Sequence, residues 1–370
     1  MSPTERYLAD VASGKITRDP DQGRVIEILS DLFVGLQERD KPDQQSWIQR
    51  LITAVRKKTN PPPKLRGIYL WGAVGRGKTY LMDLFFTSVE GPAKIRTNFH
   101  RFMQDIHSRL ADMQGVIDPL EVIADQFAER ATLICFDEFY VSDIGDAMLL
   151  GRLLTALLDR GVVLVATSNV PPEELYRNGL QREKFLPAIA AIERHNEIVK
   201  VDSAKDYRLE RLSLADLYLF PLSPTVDDKL SASFFELAND TEAVQENGFL
   251  TLLGRELETI LLTEDLVWFT FEVLCGGNRS AFDYVELAKL FRTVFLSGVP
   301  ILDEETNDGA RRFISLVDEL YDRRVKLIMA AEADVAHLYG GQSLAFEFER
   351  TQSRLMEMRS REYLGREHLV

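Results

Sequence analysis

The stretch Gly72-Ala73-Val74-Gly75-Arg76-Gly77-Lys78-Thr79 decides how the rest of this chain is read. It fits the phosphate-loop pattern G-x-x-x-x-G-K-[ST], and the chemistry of a polyphosphate accounts for each residue type in it. The glycines let backbone N–H groups turn inward and approach the phosphates with no side chain in the way. Lys78 reaches the β- and γ-phosphates as a point charge, and the Thr79 hydroxyl is placed to ligate magnesium. The flanks agree. Before the motif, Gly67-Ile68-Tyr69-Leu70-Trp71 is a short apolar run bounded by turn residues, the signature of a buried strand. After it, Tyr80 to Ser88 reads as a helix whose positive end faces the anion. Residues Gly72 through Thr79 are therefore the expected cradle for ATP.

A hydrolytic site also needs acids. Beyond Lys78 by 59 residues, the apolar run Leu133-Ile134-Cys135-Phe136 ends in Asp137-Glu138. Asp137 is placed to hold the Mg2+ shell beside Thr79, and Glu138 to orient and polarise the attacking water. Having both acids favours hydrolysis over binding alone, and so argues against a nucleotide-gated adaptor. Val165-Ala166-Thr167-Ser168-Asn169 supplies a polar residue at the end of another strand. Asn169 is the expected sensor of the γ-phosphate or the lytic water. Charge then develops on the transferring phosphoryl group, and an arginine inserted from a neighbouring subunit can raise turnover by about 10³–10⁵. Arg182, in Gly179-Leu180-Gln181-Arg182, is the first candidate, with Arg177 and Arg194 behind it. Upstream, Gln22 of Asp19-Pro20-Asp21-Gln22 can pair with the N6/N7 edge of adenine. A plain polar residue at a helix start is an equally open reading of Gln22.

Around these motifs the chain alternates between helix and strand. Helices are expected at 80–88, 102–113, 120–128, 146–159, 172–176 and 185–194, and strands at 67–72, 94–99, 132–136, 162–167 and 198–201. Five strands interleaved with helices imply a parallel sheet covered on both faces. Residues 1–63 read as helices ending in the stiff linker Asn60-Pro61-Pro62-Pro63-Lys64, 64–202 as the nucleotide-binding core, and 203–370 as a mixed α/β region. In that last region helices are expected over 224–245, 282–291, 310–321 and 343–364. An exposed-face strand is expected over 266–275 and another strand over 325–330. Leu157-Leu158-Asp159-Arg160-Gly161-Val162 is echoed by Leu320-Tyr321-Asp322-Arg323-Arg324-Val325. Chance reuse of a helix–turn–strand unit is the simpler reading, and the second copy carries no phosphate loop.

Composition narrows the function class. Across 370 residues, Lys plus Arg total 44 and Asp plus Glu 58, for a net charge of −14. Such a chain is repelled by phosphate backbones and anionic membranes, so nucleic acid is not the expected partner. Cys135 and Cys275 lie singly in apolar runs, which implies reduced thiols rather than a disulfide framework. His100 and His107 read as ordinary helix residues rather than zinc ligands. The first ten residues carry Glu5 and Asp10 and no apolar core, and no uncharged stretch is long enough to span a bilayer. A soluble cytoplasmic protein without membrane insertion is the expectation.

With these residues in view, the chain resembles the ZapE family of cell-division ATPases, within the Afg-one-like group of the AAA+ class. The likeness is carried by Tyr69-Leu70-Trp71-Gly72, Asn98-Phe99-His100-Arg101-Phe102-Met103, Cys135-Phe136-Asp137-Glu138-Phe139 and Val141-Ser142-Asp143-Ile144. It continues through Ala166-Thr167-Ser168-Asn169, Leu175 to Arg182, Ala310-Arg311-Arg312-Phe313-Ile314 and Arg366-Glu367-His368-Leu369. The resemblance implies an AAA+ type P-loop NTPase with a five-stranded parallel sheet. It implies a bacterial ATPase that binds the tubulin-like division protein FtsZ and lowers the stability of its polymers when ATP is present. It also implies a homo-oligomer, often a ring, which suits an arginine acting in trans. The competing expectation is a nucleic-acid-associated P-loop ATPase of the helicase-loader type, disfavoured by the charge and by the lack of a basic–aromatic stripe.

Overall fold

The computed structural model describes residues 1–14, 16–40, 65–73, 75–91, 93–141, 143–202, 217–238, 241, 243–366 and 368–369. Val74 of the phosphate loop, the linker at 60–64, Ser142 and Glu367 lie outside the described residues. Two compact units result, Met1–Ala204 and Lys205–Val370.

In the first unit α1 (Pro3–Ala12) and α2 (Pro20–Asp40) precede β1 (Gly67–Trp71). There follow α3 (Lys78–Ser88), β2 (Lys94–Asn98), α4 (Phe99–Asp112), α5 (Pro119–Arg130), β3 (Leu133–Asp137), α6 (Ile144–Asp159), β4 (Val163–Ser168), α7 (Leu186–His195) and β5 (Asn196–Lys200). The five strands pair in parallel in the order β2-β3-β4-β1-β5, the five-stranded parallel sheet that the alternation of helix and strand implies. Side chains alternate across such a sheet. Ile68, Leu70, Cys135 and Val165 therefore pack with Val25, Leu29, Leu81 and Phe85 on one face. Tyr69, Ile134, Phe136 and Ala166 pack with Phe102, Ile123, Leu154 and Ile192 on the other. Burial of this kind on both faces is why these strands read as nearly continuous apolar runs. Because the strands are parallel, their carboxyl ends share one edge, where ligands of open α/β sheets bind.

The helix expected over 172–176 is only a 3₁₀ turn, Pro172–Glu174. Tyr176, at φ 52°, and Asn178, at φ 66°, are left-handed and break any helical continuation.

The second unit contains β6 (Tyr218–Leu219), α8 (Pro224–Leu237), β7 (Gln245–Leu252), β8 (Arg255–Leu262), β9 (Leu266–Thr270), α9 (Ala281–Leu290), β10 (Thr293–Val299), α10 (Asn307–Asp322), β11 (Lys326–Ala331), α11 (Ala345–Met358) and α12 (Arg361–Leu364). Its sheet has the order β6-β11-β10-β9-β8-β7, parallel from β6 to β9 and antiparallel beyond. Here the sequence reading needs correction. The helix expected over 224–245 stops at Leu237, and β7 begins at Gln245. Residues 266–275 are not an exposed strand: β9 is buried and ends at Thr270, and Glu272–Gly276 form a π-helical turn. The hairpin β7–β8 and strand β10 were not expected, and the helical tail is broken after Met358.

The echo between the two units extends well past one helix and turn. After α6, Gly161 N donates to Leu158 O and Val162 N to Leu157 O; after α10, Arg324 N donates to Tyr321 O and Val325 N to Leu320 O. Gly161, at φ 84°, and Arg324, at φ 60°, both take the left-handed turn position. The strand plan repeats as well. β6, β9, β10 and β11 occupy the relative places of β1, β2, β3 and β4, with the hairpin β7–β8 inserted before β9.

Candidate functional site

The site lies at the carboxyl edge of the first sheet. β1 ends at Trp71 and the chain turns at Gly72, whose φ of 149° and approach to Val201 exclude a side chain: a Cβ there would stand 2.3 Å from Val201 O. Gly77, at φ 83°, then caps α3 from the left-handed region, so the helix begins directly at Lys78. Lys78 is buried, and its Nζ donates to Gly72 O (2.8 Å), Ala73 O (2.9 Å) and Asn169 Oδ1 (3.0 Å). The expected phosphate-binding lysine and the expected sensor, 91 residues apart in sequence, are thus in direct contact.

The acids converge on the same edge. Asp137 is fully buried at the end of β3, and its Oδ1 accepts from Thr79 Oγ1 (3.0 Å), Thr167 Oγ1 (2.5 Å) and Glu138 N (3.1 Å). Its Oδ2 accepts from Arg96 Nη2 (3.3 Å), whose Nε donates to Asp83 Oδ1 (2.7 Å). Glu138 sits at φ 52°, an unusual conformation for a non-glycine residue. Its backbone N is tied to Thr167 Oγ1 at 3.1 Å, and Asn98 Nδ2 reaches its Oε2 at 3.3 Å. Strained backbone of this kind concentrates where a side chain is held for function. A hydroxyl and a carboxylate, both hard oxygen donors and 3.0 Å apart, suit Mg2+, which takes few protein ligands and completes its shell with phosphates and water.

Burial tunes the surroundings. The Tyr69 phenol is pushed above its usual range mainly by burial, and stays a donor to Val170 O at 3.0 Å. The Cys135 thiol, fully buried on β3 two residues before Asp137, is likewise pushed up by burial and is an inert packing group.

Gln22 also arrives at the loop. Asp19 Oδ1 accepts from Asp21 N (2.8 Å) and Gln22 N (3.1 Å), setting the start of α2. Gln22 is 1% exposed, and its Nε2 lies 3.4 Å from Arg76 O in the phosphate loop. Its Oε1 has no hydrogen-bond partner among the described residues. A buried amide oxygen left this way costs about 1–3 kcal/mol, which a ligand donor would relieve.

The arginines are placed differently. Arg182 Nη2 donates to Glu173 O (2.6 Å), Arg177 pairs with Glu174 (3.2 Å), and Arg194 lies exposed in the last turn of α7. Among the described residues none of the three is hydrogen-bonded to the Lys78–Asn169–Asp137 cluster. Arg177 and Arg182 belong to a loop with three left-handed non-glycine residues, Tyr176, Asn178 and Gln181. Gly179 lies against the Tyr176 ring, where a Cβ would stand 2.2 Å from ring carbons. The loop is built rather than slack.

Four residues of this edge escaped sequence reasoning: Asn98, Thr167, Arg96 and Asp83. The signal was present in Arg96 and Asn98, polar residues on a strand of an otherwise apolar sheet, and in Asp83 on the helix of the phosphate loop.

A family profile described as AFG1-like ATPase matches residues 1–367 of this chain. The chain is 44% identical over 374 residues to the cell division protein ZapE of Escherichia coli (strain K12), covering 100% of this chain and 99% of that protein. It is 36% identical over 350 residues to lactation elevated protein 1 homolog B of Danio rerio, covering 83% of this chain and 69% of that protein. Among solved structures, Caenorhabditis elegans PCH-2, at 13% identity and a TM-score of 0.32, is matched over 93% of this chain and 70% of that chain.

Proposed function

The chain belongs to the AFG1-like ATPase family, and from that membership we propose that it is a cell-division ATPase of the bacterial cytoplasm. In this reading it binds FtsZ and lowers the stability of FtsZ polymers in the presence of ATP. The observation that carries the proposal is the end-to-end likeness to ZapE, supported by the contacts of Lys78 with Asn169 and of Thr79 with Asp137 in this chain.

The geometry of the edge supports the following chemistry. Lys78 exchanges carbonyl partners for the β- and γ-phosphates, and Asn169, already on its ammonium, reaches the same region. Thr79 and Asp137 would hold Mg2+, which would neutralise phosphate charge when bound. Glu138 accepts the proton of the attacking water, its carboxylate aligned by Asn98. Gln22 reads the adenine edge with Nε2 as donor and Oε1 as acceptor. The loop of Arg177 and Arg182 faces the nucleotide of a neighbouring copy in a homo-oligomeric ring, Arg182 supplying the guanidinium.

Sedimentation of FtsZ polymers tests the role. With ATP the chain should reduce the pelleted fraction, and without nucleotide it should not. Polymers indifferent to the chain under both conditions would remove the division role and leave the ATPase.

A further inference from the structure

The two units repeat one strand plan, so the chain carries its own comparison for what nucleotide chemistry adds to such a sheet. The registers coincide. Lys94, Leu133 and Val163 pair across β2, β3 and β4; Leu266, Thr293 and Lys326 pair across β9, β10 and β11. Counting from these rows, Tyr218 on β6 stands where Tyr69 stands on β1, opposite Met329 and Ala166 respectively. Both hydroxyls donate to the equivalent carbonyl beyond the neighbouring strand, Ala333 O at 2.7 Å and Val170 O at 3.0 Å. Gly298, at φ 71°, repeats the left-handed turn of Glu138.

Among the described residues the second unit does not repeat the nucleotide-site residues of the first. β6 passes through Phe220-Pro221-Leu222-Ser223 into α8 with no phosphate loop. Counted along the strands from these rows, Ser297 stands for Asp137, Gly298 for Glu138 and Glu332 for Asn169, with the β10–β11 pairing shifting register between Leu296 and Val299. Arg96 is replaced by Trp268. The contact itself survives in neutral form, since Trp268 Nε1 donates to Ser297 Oγ at 3.0 Å where Arg96 donates to Asp137. A strand-to-strand bond at this place therefore does not require charge. Burying a guanidinium against two carboxylates carries a desolvation cost that a Trp–Ser pair avoids. The arginine appears where the nucleotide residues appear.

We propose that Arg96 is a positioning residue of the metal site, holding Asp137 Oδ2 so that Oδ1 faces Thr79, and offsetting the charge of Asp83. Thr79 and Asp83 lie one turn apart on α3, so the guanidinium ties the phosphate-loop helix to the end of β3. A planar fork can serve two carboxylates at once. The proposal rests on the reading of Thr79 and Asp137 as the magnesium holders.

The test measures ATP affinity by equilibrium binding of a fluorescent ATP analogue, in EDTA and in Mg2+, with Mn2+ resonance as a second readout of the metal. Arg96→Met should keep metal-free affinity within about twofold while the metal-dependent gain falls by about 10–100-fold, the usual effect of removing an outer partner of a metal ligand. Arg96→Lys should recover part of the gain, because an ammonium pairs with one carboxylate rather than both. If Arg96→Met does not fold, an Arg96→Lys gain below the wild-type value supports the proposal and a wild-type gain overturns it. A wild-type metal gain in Arg96→Met also overturns it. Asp137→Asn separates the two layers. If it too keeps the gain, the magnesium reading has failed; if it loses the gain while Arg96→Met does not, the Arg96 proposal alone has failed.

Discussion

Asn98 Nδ2 lies 3.3 Å from Glu138 Oε2, while Asn98 Oδ1 accepts from His100 N at 2.9 Å. One buried amide thus caps helix α4 and aligns the carboxylate assigned to activate water. The two roles can be separated. Asn98→Asp keeps the cap, because aspartate caps as well as asparagine, but sets a like charge beside Glu138. We expect an unchanged melting temperature and kcat reduced by about tenfold or more, since a hydrogen bond to a charged group contributes about 1.5–3 kcal/mol. Normal turnover in a normally stable Asn98→Asp would mean that the contact is incidental.

The orphaned Oε1 of Gln22 makes a prediction about base choice. Gln22→Ala should weaken ATP binding by about tenfold, in line with about 1–3 kcal/mol for a bidentate amide–adenine pair. Discrimination against GTP should narrow at the same time, with kcat at saturation preserved. An unchanged ATP-to-GTP affinity ratio counts against Gln22 as the adenine reader.

Among the described residues Arg182 makes no hydrogen bond to the Lys78 cluster of its own chain, and its Nη2 donates to Glu173 O. Arg182→Ala should leave ATP affinity nearly unchanged and lower turnover by about 10³-fold or more, as loss of a trans guanidinium does. Mixed assemblies decide the matter. Subunits with Arg182→Ala and an intact Lys78 should regain activity beside Lys78→Ala subunits that keep Arg182. Co-assembled mixtures without rescue would place the arginine's action, if any, within its own subunit.

The first sheet was legible because its strands are short apolar runs punctuated by turn residues, because Asp137 and Asn169 fall at strand ends, and because Lys78 opens the helix after the phosphate loop. The second sheet was not. β7 and β8 carry Glu246, Glu256 and Glu258 on exposed positions, a residue type depleted in strands. Their turn, Leu253-Gly254, has positive φ at both residues but lacks the Asn-Gly or Asp-Gly pair that usually announces such a hairpin. β9 looked longer than it is because Glu272–Gly276 continue the apolar run in π-helical form. At the site, the motif residues stand out in the sequence and the residues that contact them do not. Thr167 and Arg96 act through long-range contacts to Asp137, 30 and 41 residues away in sequence, and no local pattern encodes such a pairing.

We propose a single hydrolytic site per chain, built on the first sheet and absent from its repeat among the described residues of the second unit. Equilibrium ATP binding to the Glu138→Gln variant tests it directly, because that substitution keeps the cradle and removes the charge that polarises water. One ATP per chain should bind and persist without phosphate release, and adding Lys78→Ala should abolish or sharply weaken that binding. Two ATP per chain, full-affinity binding that survives Lys78→Ala, or phosphate release by Glu138→Gln at the wild-type rate would rule out a single site of this kind.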